Sequence, residues 1–128
     1  MIGLLDTCSL LWWWSNPASL SKRALALLKD PQNTFLVSAA SAWEVATKFR
    51  IGKFPKGSRV IDEWEMRLLE DGFQELPIGV RHALKAGTLP GEHRDPFDRM
   101  IAAQALLASI PVVTSDPEIA GLGAAILW

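Results

Sequence analysis

DPFDRMIAAQALLASIPVVTSD, residues 95–116, carries the reading that decides the fold. Asp95-Pro96 opens the longest well-marked helix, which runs to about Ser109, because proline is favoured at the first helical position. Pro111–Thr114 follows as a short buried strand, and the chain then meets an acid, Asp116. A helix feeding a buried strand that stops at a carboxylate is one repeat of a parallel α/β pattern.

The same grammar recurs on the N-terminal side. Ile2–Asp6 reads as a buried strand, Ser9–Trp14 as a short helix, and Leu20–Lys29 as an amphipathic helix with Leu20, Ala24, Leu27 and Leu28 on one face. Thr34–Ser38 is a second strand. Ser41 is expected to cap a helix to about Arg50, ending before the Gly52–Pro55 break. Another helix is expected over Val60–Leu69, stopping at the Asp71-Gly72 turn. Phe73–Pro77 is an edge strand or an extended connector, Val80–Lys85 a helix, and Ala124–Trp128 the last strand. Strands alternating with helices predict a mainly parallel sheet covered on both faces, with residues 1–128 forming one domain.

Four acids stand where such elements meet: Asp6, Glu44, Asp98 and Asp116. A parallel sheet gathers its ligands outside the carboxyl ends of its strands, so four separate segments can supply one site there. Carboxylates crowded together repel unless they hold cations, which points to a divalent metal. Local structure offers a second account of three of them. Ser41-x-x-Glu44 matches a capping box, Asp95 caps a helix with Asp98 in its first turn, and Asp116-Pro117 reads as a cap. Capping alone gives no reason for the strand-terminal Asp6, and a helix N-terminus can serve both purposes by directing N–H groups at a phosphate.

Composition narrows the classes. The chain is 49% hydrophobic and 21% charged, ordinary for a globular protein, and its net charge of −1 gives no general attraction for nucleic acid. One cysteine, Cys8, excludes an internal disulfide and fits a reducing compartment. With no long apolar stretch and no basic, apolar leader, the chain is expected to be soluble and cytoplasmic, without a membrane. Cys8, His82 and His93 share no zinc-ligand spacing. The calcium loop, the phosphate-binding loop, the dinucleotide glycine motif and the serine nucleophile elbow are all absent. Hard oxygen donors select Mg²⁺ or Mn²⁺.

MIGLLDTCSLLWW (1–13), SAASAWEVATKFRIGKF (38–54), LPGEHRDPFDRMIAAQA (89–105) and PVVTSDPEI (111–119), in that order, resemble the PIN-domain ribonucleases, and more narrowly the VapC-type toxins of bacterial toxin–antitoxin pairs. The most specific piece is H-R-D-P-F-D-R-M with I-A-A-Q-A. The resemblance implies a three-layer α/β/α PIN-like fold and Mg²⁺- or Mn²⁺-dependent cleavage of RNA. It places the acidic centre on Asp6, Glu44, Asp98 and Asp116, and implies a cognate antitoxin as partner. Cys8 stands where related toxins often have histidine, and Leu122 where an aromatic is common. A non-catalytic PIN-like module that binds RNA or protein is the alternative, and its mark would be a lost acid.

Around that centre several side chains have two readings. Thr7 and Thr114 orient ligands or bond phosphate, or each satisfies a local backbone group. Arg99 reaches a scissile phosphate, or is an ordinary first-turn arginine. His93 and Arg94 give the loop before the helix a positive edge for RNA, or are solvated. The acid-free run from Lys48 through Arg50, Lys53 and Lys56 to Arg59 is the candidate RNA grip, with Phe49 and Phe54 to stack bases or anchor the segment. Trp12, Trp13 and Trp14 are consecutive and point about 100° apart on a helix, so they cannot all face one core. An exposed one fits a homodimer or antitoxin contact. Trp43, Trp64 and Trp128 read as core.

Overall fold

The computed structural model describes all residues from Met1 to Trp128. Five strands form one sheet: β1 (Ile2–Leu5), β2 (Thr34–Ser38), β3 (Gln74–Leu76), β4 (Val112–Val113) and β5 (Ile126–Leu127). Their order is β3-β2-β1-β4-β5, and every pairing is parallel. Eight helices connect them: α1 (Thr7–Ser15), α2 (Lys22–Lys29), α3 (Ala39–Arg50), α4 (Gly57–Asp62), α5 (Trp64–Asp71), α6 (Val80–Thr88), α7 (Pro96–Ala108) and α8 (Pro117–Gly121).

Because successive residues of a strand point to opposite faces, each strand feeds two cores. Leu4 and Val112 face one side and pack with Ile101, Ala102 and Ala105 of α7, Ala86 of α6 and Ile119 of α8. Leu5, Phe35, Val37 and Val113 face the other side, against Leu10 of α1, Ala24 and Leu28 of α2, and Leu68 of α5. The result is three layers, helix on sheet on helix, as the alternation of elements predicts. Arms grow from β1 in both directions, toward β2 and β3 on one side and β4 and β5 on the other. The gap between β1 and β4 is therefore where connections diverge, and a crevice opens outside the strand ends there.

Three expectations need correction. The helix after β2 is capped by Ser38, whose hydroxyl accepts from Ala40 N at 3.0 Å, and Ser41 is buried inside it. The strand runs straight into the helix with no loop, so its last residue becomes the cap. Glu44 is thus released from any capping box. The helix expected over 60–69 is two helices, broken at Glu63, where the backbone leaves helical geometry (φ −99°, ψ 9°). Glu63 there holds Arg59 at 2.8 Å and Arg67 at 3.1 Å. Trp43 is 58% exposed and not core. It shares the outer stripe of α3 with Ala39, Ala46 and Arg50, at helical spacing.

The other tryptophans are half-buried. Trp12 packs against Trp128, Trp13 against Phe73, and Trp14 edge-on against Trp64, with ring centroids 5.9, 6.2 and 5.3 Å apart. Trp14 also donates to Asp71 at 2.7 Å, with Arg67 over its ring. Three rings pointing in different directions each find an aromatic partner within the chain itself.

Candidate metal centre

Asp6 ends β1 and caps α1, so strand and helix together dictate its position. It is 5% exposed. Its Oδ1 accepts from Ser9 N at 2.8 Å and its Oδ2 from Thr114 Oγ1 at 2.5 Å. Thr114 lies directly after β4, and its hydroxyl also accepts from Asp116 N at 2.9 Å. Ser9 in turn donates to Val113 O at 2.9 Å. These bonds tie the ends of β1 and β4 together across the crevice. The contacts of Thr114 match both of its readings, since it donates to an acid and accepts from a local backbone N–H. The Thr7 hydroxyl donates to Ser41 Oγ at 2.9 Å, joining α1 to α3.

Glu44 and Asp98 come from the two helices that flank the crevice. Glu44, 5% exposed on α3, accepts from Lys48 Nζ at 2.5 Å, one helical turn on. Asp98 sits in the first turn of α7, whose cap, Asp95, accepts from Phe97 N at 2.9 Å and Asp98 N at 3.2 Å. His93 Nε2 donates to Asp98 Oδ2 at 2.8 Å, and Glu118 lies 3.6 Å from its other nitrogen. Asp116 caps α8 by accepting from Glu118 N at 2.9 Å.

Asp6, Glu44, Asp98 and Asp116 all line one cavity of about 390 Å³, with Asp95, Thr7, Cys8, Trp12, Lys48 and Ser115. Five carboxylates there face one ammonium. Burial pushes the Asp6 carboxyl up from its ordinary value, against the pull of its Ser9 and Thr114 hydrogen bonds, and nearby Asp116 adds to the rise. Asp98 is raised to about 6, chiefly by burial, which outweighs the His93 hydrogen bond. Cys8 is pushed up to about 11 by burial and by Asp6 and Glu44. His93 is raised by its bond to Asp98. Excess buried negative charge with oxygen-only donors is the chemistry of a hard-cation site. No three of these groups are drawn together into a ready-made ligand cluster.

The remaining candidates fall elsewhere. Arg99 does not face the cavity. Its guanidinium donates to Ala86 O at 2.9 Å, His93 O at 3.0 Å and Leu89 O at 2.5 Å, so it binds the α6–α7 connection to α7. The phosphate-contact reading gives way to this one, because the planar fork is already occupied by three carbonyls. His93 and Arg94 line a separate open cleft of about 810 Å³ beside the cavity. Of the basic run, only Lys48 reaches the cavity. Arg50, Lys53 and Lys56 are exposed at and beyond the end of α3, and Arg59 is paired with Glu63.

Two partners have no local sequence signal. Ser41 meets Thr7 across 34 positions. Gln104, wholly buried in α7, accepts from Ser38 Oγ at 2.5 Å and donates to Pro77 O at 3.1 Å. A lone amide in the apolar run of α7 is the only hint of the second. Lys48 as the partner of Glu44 was legible, since an acid followed four residues later by a base is a helical pair.

The model of the PIN domain family matches residues 3–124. Ribonuclease VapC16 of Mycobacterium tuberculosis is 53% identical over 30 residues, a segment spanning 23% of this chain and only 21% of that relative. Among solved structures, VapBC2 of Rickettsia felis bound to a promoter DNA fragment superposes with a TM-score of 0.70 at 16% identity, covering 99% of this chain and 98% of the other. FitAcB of Neisseria gonorrhoeae gives 0.68 at 23% identity, covering 100% and 97%. At these identities the superpositions establish the fold.

Proposed function

Since the chain belongs to the PIN domain family, we propose that it is a Mg²⁺- or Mn²⁺-dependent endoribonuclease acting as the toxin of a VapC-type toxin–antitoxin pair. The observation that carries this reading is the convergence of Asp6, Glu44, Asp98 and Asp116, from four separate segments, on one cavity at the diverging strand ends. No member of the acidic set is missing, which is what a binding-only module would have lost.

The donor set suits a hard divalent ion, and Asp6, Glu44 and Asp98 would hold it, with Asp116 serving a second ion or a water. Bound there, such an ion supplies positive charge to the scissile phosphate and makes a water acidic enough to attack it. The chain's own contribution is positioning. Ser9 and Thr114 hold Asp6 in one orientation, and Thr114 couples it to Asp116. The N-terminus of α7, whose Phe97 and Asp98 N–H groups are taken by Asp95, sets Asp98 in the first turn at the positive end of the helix dipole. Lys48 and His93 pair with Glu44 and Asp98, and a cation held by these acids would take over that counter-charge.

The partners proposed are single-stranded RNA, the cognate antitoxin and a second copy of the chain. Superposition on the toxin–antitoxin complexes supports the antitoxin through fold alone. Purified protein with Mg²⁺ is expected to cleave single-stranded RNA internally, and EDTA to stop it. Induced expression is expected to arrest growth, and co-expression of the protein encoded immediately upstream to relieve the arrest. Metal-independent cleavage, or cleavage that survives Asp6→Asn, would sink the reading.

A further inference from the structure

We propose that Trp43 is a positioning residue for the RNA substrate, a platform on which a base flanking the scissile phosphate stacks; the proposal rests on the nuclease reading above. Five of the six tryptophans are half-buried, whereas Trp43 stands on the outer stripe of α3, 58% exposed. A ring that open forgoes the burial that stabilises the others. Its place is informative. Trp43 immediately precedes Glu44, and its ring packs edge-to-face on Phe97, which immediately precedes Asp98, with centroids 4.8 Å apart. The pair therefore bridges α3 and α7, the two helices whose Glu44 and Asp98 line the cavity, with each ring one residue along the chain from one of those acids and outside the cavity lining itself.

The contact with Phe97 also holds the indole in place, so little side-chain freedom is left to lose when a base arrives. Arg50 lies on the same outer stripe, and Lys53 and Lys56 follow in the loop, giving a basic flank to a ring beside an acidic pocket. That combination suits a single-stranded nucleic acid: cations for its backbone, an aromatic face for a base, and the carboxylates reserved for metal. Stacking is indifferent to base identity, so the platform grips a nucleotide without reading it.

The test uses the full chain with Mg²⁺ and a short single-stranded RNA that the wild type cleaves, alongside copies carrying one abasic nucleotide at each position near the cut. Trp43→Ala is expected to raise KM about tenfold, within the range that stacking one base contributes, with kcat within about twofold. Trp43→Phe is expected to restore most of the loss. One abasic position should weaken wild type by a similar factor yet leave Trp43→Ala unaffected. Unchanged KM in Trp43→Ala overturns the proposal, as does an equal loss on intact and abasic RNA. A change from dimer to monomer with KM preserved also overturns it, and would make the ring a self-association contact. If wild type with Mg²⁺ cuts no RNA at all, the nuclease reading itself fails, an outcome distinct from these.

Discussion

Asp6 illustrates how a buried acid can be costly where it stands. Burial raises its pKa, so the ionised carboxylate is held against its preference. Asparagine keeps the capping acceptor for Ser9 N but removes the buried charge. Asp6→Asn is therefore expected to raise the melting temperature of the metal-free protein at pH 7.5, while lowering kcat/KM at least about a hundredfold, since even outer-shell partners of metals contribute 10- to 100-fold. Thermal melts and RNA cleavage assays on one preparation check both directions. Asp98 adds a pH dependence. Its folded pKa of about 6 lies above the ordinary 3.8, so its contribution to stability is fully present below the lower value and lost as pH rises through the upper. His93, also raised, acts in the same sense above its ordinary 6.5. Metal-free melting temperature should thus fall as pH rises from about 4 through 6 and beyond, and Asp98→Asn should flatten the slope.

Elements were legible in the chain to different depths. Asp95-Pro96, the apolar run of α7 and the buried β4 define one another locally, and their limits fall within a residue or two of those expected. The start of α3 was misplaced because Ser38 and Ser41 both look like caps, and only the abutting strand decides between them. The break at Glu63 has no glycine or proline to announce it. Of the four acids that line the cavity, Asp6, Asp98 and Asp116 were legible from their places at element boundaries, whereas Glu44 lies in the middle of α3 and its expected capping position did not hold. The roles of Arg99 and Gln104 were not legible, since both depend on carbonyls that the fold brings from other segments. Arg99 clamps the α6–α7 connection through three of these. Lysine cannot reproduce that fork, so Arg99→Lys is expected to destabilise by about 1–3 kcal/mol in urea unfolding, with cleavage by the folded fraction little changed. Gln104→Leu strands the Pro77 carbonyl and removes the acceptor for Ser38, with a similar expected loss of about 1–3 kcal/mol.

Across the whole molecule, a nearly neutral chain brings five of its fourteen acids to one cavity at the carboxyl ends of its strands. The diverging connections on either side of β1 bring the ends of β1 and β4 together there, and α3 and α7 complete the walls. If the proposed cation binds there, the stability of the fold should rise with its concentration. Mn²⁺ at about a hundred times its Kd is expected to add about 2.7 kcal/mol to unfolding stability, an effect that EDTA reverses and Asp6→Asn abolishes. Anomalous scattering from a crystal soaked in Mn²⁺ puts the matter most directly. The account predicts a peak inside the cavity, coordinated by Asp6 with Glu44 or Asp98, and Lys48 or His93 turned away from its present partner. A cavity without manganese at millimolar concentration, or manganese held only elsewhere on the molecule, would contradict it.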